Sequence, residues 1–507
     1  MIAGVGAALA AVLSSPVACG GQAATVSPSP SAPSVRPTPT ARPSGPLIDV
    51  RSFGAVGNGS TDDSAALQDA LASAASSGKT VYLPSGTYTC SSPLVLPSGV
   101  SIAGDGDTSW LKGKLVFAST DKVTDLKIGD AGAAAVTNAR DASDTTFTDC
   151  RFHGGGSTMG TDSSVVYLGG SQGNVSHVLF SGCAIERTSY VPPPSVDAFA
   201  AGVGNTITIH EFCYLPHDGH VDHIIFRDCT LGAFNGRASG ALRMLMEAYC
   251  WDGGTGRCYH GWHDLTFDHC LIEAGDTTDL DFADRTLTAD PSRHAASGVL
   301  VTGCTFMGAH RDPGSHYTGL PIVYECPTGI VITHNTFYAT PHDAIGGSNV
   351  RPGITSAPDL EIEDNTFDMT RSPIGLQHSS GEACIALVGF DSRVVDNTFI
   401  YDEGMGVRVE ADVTPAGGNL IEGNRFTDRR TSGGEPTIVF TGAPGLTCTD
   451  NKVIGNIIFN LAAGGGGVIA QSVNGTNSAT GNTISAGSAT PFVAQQGKLV
   501  HSSNTVK

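Results

Sequence analysis

LVTGCTF (Leu300–Phe306), VITHNTF (Val331–Phe337), EIEDNTF (Glu361–Phe367) and RVVDNTF (Arg393–Phe399) are four copies of one phrase. Each has alternating apolar residues, two polar residues, a Cys or Asn, then a polar–apolar pair. Upstream the phrase continues as TFTDCRF ending at Phe152, LFSGCAI at Ile185, IFRDCTL at Leu231 and TFDHCLI at Ile272; downstream, as LIEGNRF at Phe426 and TCTDNKV at Val453. Its turn residue is thus Cys150, Cys183, Cys229, Cys270 and Cys304, then Asn335, Asn365, Asn397, Asn424 and Asn451, spaced 27 to 46 residues apart. The alternation has period two, which makes the phrases strands rather than helices. So short a unit cannot bury its apolar face alone and must stack on its neighbours. The chain reads as an all-β solenoid.

Composition agrees and excludes some partners. Abundant glycine, 65 of 507 residues, with only 15% charged residues suits many short strands and tight turns. There are 48 acidic residues against 28 basic ones, a formal charge of −20. That balance argues against nucleic acid, which needs clustered Lys and Arg, and against anionic membrane surfaces.

The N-terminal region reads differently. Residues 1–18 carry an uninterrupted apolar stretch, Ile2–Leu13, too short for an ordinary membrane helix, and read as a signal peptide. Pro16-Val17-Ala18-Cys19 resembles a bacterial lipoprotein signal, with Pro16 where Leu is usual and no basic residue ahead of the apolar core. Lipidation at Cys19 and simple secretion are the two readings. Either places the protein outside the cell, secreted or lipid-anchored at a bacterial surface. Residues 19–46 are a Ser/Pro/Thr-rich linker that cannot bury a core, and the folded body spans 47–507.

The opening of that body, VRSFGAVGNGSTDDSAALQDALASA followed by GKTVYLPSGTYTCSSPLVLPSGVSIAGDG, resembles the entry of the pectate-lyase-like superfamily. The rung pattern is similar to the right-handed parallel β-helix of pectate lyases and polygalacturonases. Thr61 or Asp62 is expected to cap a helix in which Ala65, Leu67, Leu71 and Ala74 recur. This helix would plug one end of the coil and cover an adhesive edge.

Five of the 13 cysteines occupy the slot that later rungs give to Asn. Rungs lie about 4.8 Å apart, so these thiols are expected to stack inside one turn. Cys250 and Cys258 bracket WDGGTGR in a long loop, and export permits a disulfide between them.

The resemblance to polygalacturonases implies catalytic aspartates a few residues beyond the turn. If Leu280, Ile322, Ile345, Ile374 and Val407 point inward, their neighbours Asp279, Asp281, Glu325, Gln377, Arg408 and Glu410 point outward. Asp279 and Asp281 then share a side with α-carbons about 6.7 Å apart. Glycoside hydrolysis uses two carboxyl groups about 5–9.5 Å apart, one protonated and one ionised. Asp281, Asp279, Glu325 and Asp343 are therefore the candidate acid, base or nucleophile. Tyr249, Trp251 and Tyr259 offer flat faces for stacking on sugar; Arg243, His342, Arg371, Gln377 and Arg408 would bind its polar groups.

Other readings stay open. The same carboxylates can hold Ca²⁺, although no cofactor is required for hydrolysis. His217, His220, His223, His260 and His263, with Asp218, Asp222 and Asp264, can gather a transition metal. Thr340-Pro341-His342-Asp343 resembles the DPHD phrase of alginate epimerases, which keeps a lyase or uronate epimerase in view. A non-catalytic glycan-binding or adhesion module is the third reading. The polygalacturonase phrases NTD, GHG and RIK are absent in register, and no Lys occurs between Lys127 and Lys452.

Overall fold

The computed structural model describes residues 45–130, 134–155, 164–169, 173–187, 207–212, 220–232, 244–249, 262–272, 278–284, 297–308, 320–325, 328–347, 359–373, 375–412, 414–430, 435–460, 467–486 and 490–507. Their strands form one parallel sheet of 31 strands, a second of 14 and a short two-stranded one. The fold is a right-handed parallel β-helix. The expected signal peptide, the linker up to residue 44, Cys19, and the Cys250–Cys258 pair lie outside the described residues. No described helix is long and apolar enough to cross a membrane.

The repeated phrase makes a corner, and the residue ahead of Cys or Asn explains why. Asp149, Asp228, His269, His334, Asp364 and Asp396 have φ between 51° and 58°. This left-handed conformation is strained for most side chains but tolerated by Asp, Asn and His. Where the phrase has Gly instead, at Gly182, Gly303 and Gly423, φ is also positive. The bend carries the large sheet from one face of the coil to the next.

The corner residue then points inward and satisfies backbone groups that the bend leaves without strand partners. Asn335 Nδ2 donates to Val301 O and to Asn365 Oδ1, both at 2.9 Å. Asn365 does the same to Asn397, and Asn397 to Asn424, at 3.0 Å. The cysteines continue this ladder: Cys304 N–H donates to Asn335 Oδ1 at 2.8 Å, and Cys270 N–H to Cys304 Sγ at 3.4 Å. All five stacked cysteines are reduced and buried. Each thiol donates to a backbone carbonyl of the rung before at 3.3–3.5 Å, so the stack is packing, as expected.

One rung assignment is corrected. Asn424 donates to Asn456, not to Asn451, and the ladder runs on through Asn482 to Asn504. Asn451 belongs to a second ladder, Asn419–Asn451–Asn477, at the preceding corner. The core beside the main ladder is a column of rings. Phe306, Phe337, Phe367, Phe399 and Phe426 stack with neighbouring centroids 4.5–4.8 Å apart.

The N-terminal helix spans Ser64–Ser77 and buries Leu67, Ala70, Leu71 and Ala74 against the first rungs. Ala65 is exposed, and Ala70 takes the place expected for it. The N-cap is Asp63 rather than Thr61 or Asp62. Its carboxylate accepts instead from the amides of Val56 and Gly57, at 2.7 and 3.1 Å, tying helix to entry loop.

Candidate functional site

The 14-stranded sheet carries the site. Thr278–Asp284 is followed by Leu320–Glu325, Ile345–Gly347, Ala383–Val388, Met405–Ala411 and Ile438–Gly442, each paired in parallel with the next. Leu280, Ile322, Ile345, Ile385 and Val407 share a register row and lie in the core. Side chains alternate along a strand, so the adjacent row, Asp281, Val323, Gly346, Ala386 and Arg408, faces outward. The expected outward placement of Asp281 and Arg408 therefore holds. They stand four rungs apart on that row, about 19 Å at the usual rung spacing.

A cleft of about 180 Å³ opens at the Arg408 end, with His342, Asp343, Arg408 and Glu410 around it and Gly346 and Ala386 as its floor. Small floor residues make the space. A Cβ at Gly346 would press on Leu320.

Arg408 organises the charges. Its Nη2 donates to Asp343 Oδ2 at 2.9 Å, Nε lies 3.2 Å from Glu410 Oε2, and Nη1 lies 3.9 Å from Glu382 Oε2. The Ala383 amide donates to Asp343 Oδ1 at 2.6 Å. Asp343 is only 2% exposed. Burial opposes its charge, but the Arg408 guanidinium and the Ala383 amide hold its carboxyl below the usual carboxylate value. Glu410 goes the other way. Burial raises its pKa, Arg408 offsets this only in part, and Asp412, Asp343 and Glu382 add like-charge repulsion. One carboxyl is thus held ionised and its neighbour is biased towards protonation.

His342 Nδ1 accepts the Asp343 amide at 2.8 Å and lies 3.3 Å from Asp343 Oδ2. The shorter contact makes Nδ1 an acceptor, so the neutral ring carries its proton on Nε2. Donor atoms of His342, Asp343 and Glu382 lie within 4.8 Å of one another, close enough to share a cation. The set does not suit calcium, however: Arg408 already supplies the positive charge at Asp343, and the His342 lone pair is in use. A metal would have to displace both.

Of the candidates read from sequence, the structure brings together Asp343, His342 and Arg408. Asp279 and Asp281 are 2% and 4% exposed and do not line this cleft. Arg371 is exposed and 3.7 Å from Asp368, and Gln377 is exposed; neither lines the cleft. Glu325 and Tyr249 end strands of this sheet, but their side chains lie outside the described residues. Arg243, Trp251 and Tyr259 also lie outside them, as does Ile374. Sequence reasoning placed Glu410 on the outer face without choosing it, although its spacing from Arg408 in VRVE was the available signal. It missed Glu382, which sits in the turn SSGE with no periodic pattern to mark it.

Of the histidine cluster, His223 stacks on His177, which was not part of it, with centroids 4.6 Å apart, and His223 Nε2 lies 3.4 Å from Asp264. His217 and His260 lie outside the described residues.

Residues 47–140 match the family model described as rhamnogalacturonase A/epimerase, pectate lyase-like. The match ends before the first cleft residue, Leu320. Among curated proteins, the chain is 36% identical over 87 residues to the non-secreted LysM effector LysM19 of Penicillium expansum, covering 17% of this chain and 7% of that protein. It is 40% identical over 86 residues to mannuronan C5-epimerase AlgE4 of Azotobacter vinelandii, covering 15% of each. The chain therefore spans a small part of these relatives' length. Among solved structures, the surface adhesin PfbA of Streptococcus pneumoniae is similar at a TM-score of 0.44 and 12% identity, over 91% of both chains. The Agl-KA catalytic domain is similar at 0.37 and 13%, over 92% of this chain and 69% of that one.

Proposed function

The N-terminal rungs belong to the pectate-lyase-like superfamily, and on that premise we propose that the chain is an extracellular enzyme that hydrolyses a polysaccharide laid along the cleft face. One observation carries the reading. Asp343 and Glu410 contact the same guanidinium, and their surroundings push their pKa values in opposite directions. Such divergence separates the acid from the base in a carboxylate pair. Contacts of 2.9 and 3.2 Å to one planar guanidinium keep the two oxygens within about 9 Å of each other, below the upper limit for glycosidase pairs.

In this reading Glu410 protonates the glycosidic oxygen, which makes the departing sugar a neutral alcohol. Asp343 stays ionised, stabilises positive charge growing at the sugar carbon and accepts the proton of the attacking water. Arg408 fixes the geometry of both, and Glu382 and His342 complete the polar wall. Tyr249, Trp251 and Tyr259 belong to the proposal as stacking residues, and Arg243, Arg371 and Gln377 as contacts further along the glycan. Asp279, Asp281 and Glu325 are the competing carboxylates. The acidic surroundings suit a neutral glycan better than a polyuronate.

A second reading, lyase or uronate epimerase, is favoured by the place of His342 and Asp343 at the cleft and by the epimerases among the relatives. A glycan panel separates the readings. Reducing ends without ultraviolet absorbance mean hydrolysis, and absorbance of an unsaturated uronide means elimination. A changed uronate isomer with an intact chain means epimerisation, and retention without any product means a binding module.

A further inference from the structure

Asp428 and Arg430 form an ion pair with side chains 0% and 3% exposed. Arg430 Nε lies 3.0 and 3.1 Å from the two Asp428 oxygens. Burying such a pair stabilises a fold little relative to apolar residues of the same size, so its connections are the informative part. Arg430 Nη1 donates to Glu435 Oε2 at 2.8 Å, and Nη2 to the Glu435 carbonyl at 2.9 Å. The other Glu435 oxygen accepts from Ser380 Oγ at 3.0 Å and from the Gly381 amide. The Gly381 carbonyl in turn accepts from Arg408 Nη1 at 3.0 Å.

One residue, Gly381, therefore sits between Glu435 and Arg408, with its N–H on the first and its carbonyl on the second. Gly381 has φ +86°, and a Cβ there would meet open space. Glycine is needed for the backbone angle, not for room. The same turn is tied at its ends, where His378 Nδ1 donates to the Thr340 carbonyl at 3.0 Å and Met405 N–H donates to the Glu382 carbonyl at 2.8 Å.

We propose that Glu435 is a positioning residue for the cleft: anchored by Arg430, it fixes the Ser380–Gly381 turn, whose carbonyl aims Arg408 at Asp343 and Glu410. The proposal rests on the hydrolytic reading of the cleft. Glu435 does not line the cleft and acts through Arg408.

The sign of the effect follows from the charges. Arg408 lowers the pKa of both Asp343 and Glu410. A guanidinium that wanders loses part of that pull, so both limbs of the pH–rate profile move to higher pH. General structural damage lowers the rate without moving the limbs.

The test uses Glu435→Ala and the milder Glu435→Gln, which keeps an acceptor for the turn. Misplacing a catalytic group by about 1 Å costs up to about 10²-fold. Glu435→Ala is expected to lose about 10- to 100-fold in kcat with little change in KM, both limbs shifting upward, and Glu435→Gln to lose less. Hydrogen exchange across residues 379–383 is measured alongside, at a temperature where the variants stay folded. The Gly381 amide should lose protection in Glu435→Ala. Unmoved limbs, or unchanged exchange at Gly381, overturn the proposal. If the wild type acts on no glycan, the hydrolytic reading fails, and the exchange experiment still decides whether Glu435 holds the turn.

Discussion

Arg408 Nη2 lies 2.9 Å from Asp343 Oδ2, joining residues 65 positions apart across two rungs. Asp343 is nearly fully buried, so the guanidinium is what permits its charge there. Removing one partner of a buried pair typically costs about 3–5 kcal/mol, because the other is left uncompensated. Arg408→Leu should therefore destabilise the fold by a cost towards the lower end of that range, since Arg408 itself is 17% exposed. Urea unfolding at pH 7 measures it. A loss below about 1 kcal/mol would mean that Asp343 does not depend on Arg408.

The pH–rate profile should be bell-shaped. Asp343 must be ionised, and its pKa is lowered, so the acid limb lies below the ordinary Asp value of 3.8. Glu410 must be protonated, and its pKa is raised, so the alkaline limb lies above the ordinary Glu value of 4.5. Glu410→Gln should abolish the alkaline limb together with most of the rate, and initial rates from pH 3 to 9 check both.

Asp281→Asn and Glu410→Gln separate the competing carboxylates. Losing a general acid costs roughly 10²–10⁴-fold, which is expected for Glu410→Gln. Asp281→Asn should retain activity within about tenfold, because Asp281 lies outside this cleft. The reverse order of effects would move the chemistry four rungs along the sheet.

Much of this was legible in the sequence, for a physical reason. A left-handed corner restricts the residue before Cys or Asn to Asp, His or Gly, so every rung repeats the same letters. Alternation likewise placed Asp281 and Arg408 on the outer face. The slip at Asn451 arose because the second ladder, Asn419–Asn451–Asn477, solves the same corner problem with the same residue type. A seven-residue phrase does not say which corner it makes. The position of the cleft was not legible, since it depends on small residues of two different rungs, Gly346 and Ala386. Glu382 was invisible because contacts with residues distant in sequence hold its turn.

The ladder itself makes a stability prediction. Asn397 Nδ2 donates to the Ile362 carbonyl and to Asn424 Oδ1, and its Oδ1 accepts from the amide and side chain of Asn365. Asn397→Leu strands several buried polar groups, each costing about 1–3 kcal/mol. Asn397→Cys should cost less, because Cys fills the same slot in five earlier rungs. Chemical unfolding of the two variants compares them, and equal losses would deny the ladder its role.

His378 should impose an acid-side loss of stability. Burial lowers its pKa from the ordinary 6.5, so the folded state favours the neutral ring. That contribution is complete above pH 6.5 and is lost as pH falls through the lower folded value. His378→Asn keeps a donor for the Thr340 carbonyl and does not titrate. Its melting temperature should fall less than the wild type's between pH 6.5 and 5, and identical slopes would rule out His378 as the source.

The central claim, hydrolysis with Glu410 as acid, is tested most directly by one comparison. Wild type and Glu410→Gln are incubated with a panel of neutral and uronate glycans, and reducing ends and ultraviolet absorbance are followed together. The account predicts reducing ends on a neutral glycan with no absorbance, reduced at least about 10²-fold in Glu410→Gln while the variant keeps its melting temperature. Absorbance of an unsaturated product, or full hydrolytic activity in Glu410→Gln, would contradict it.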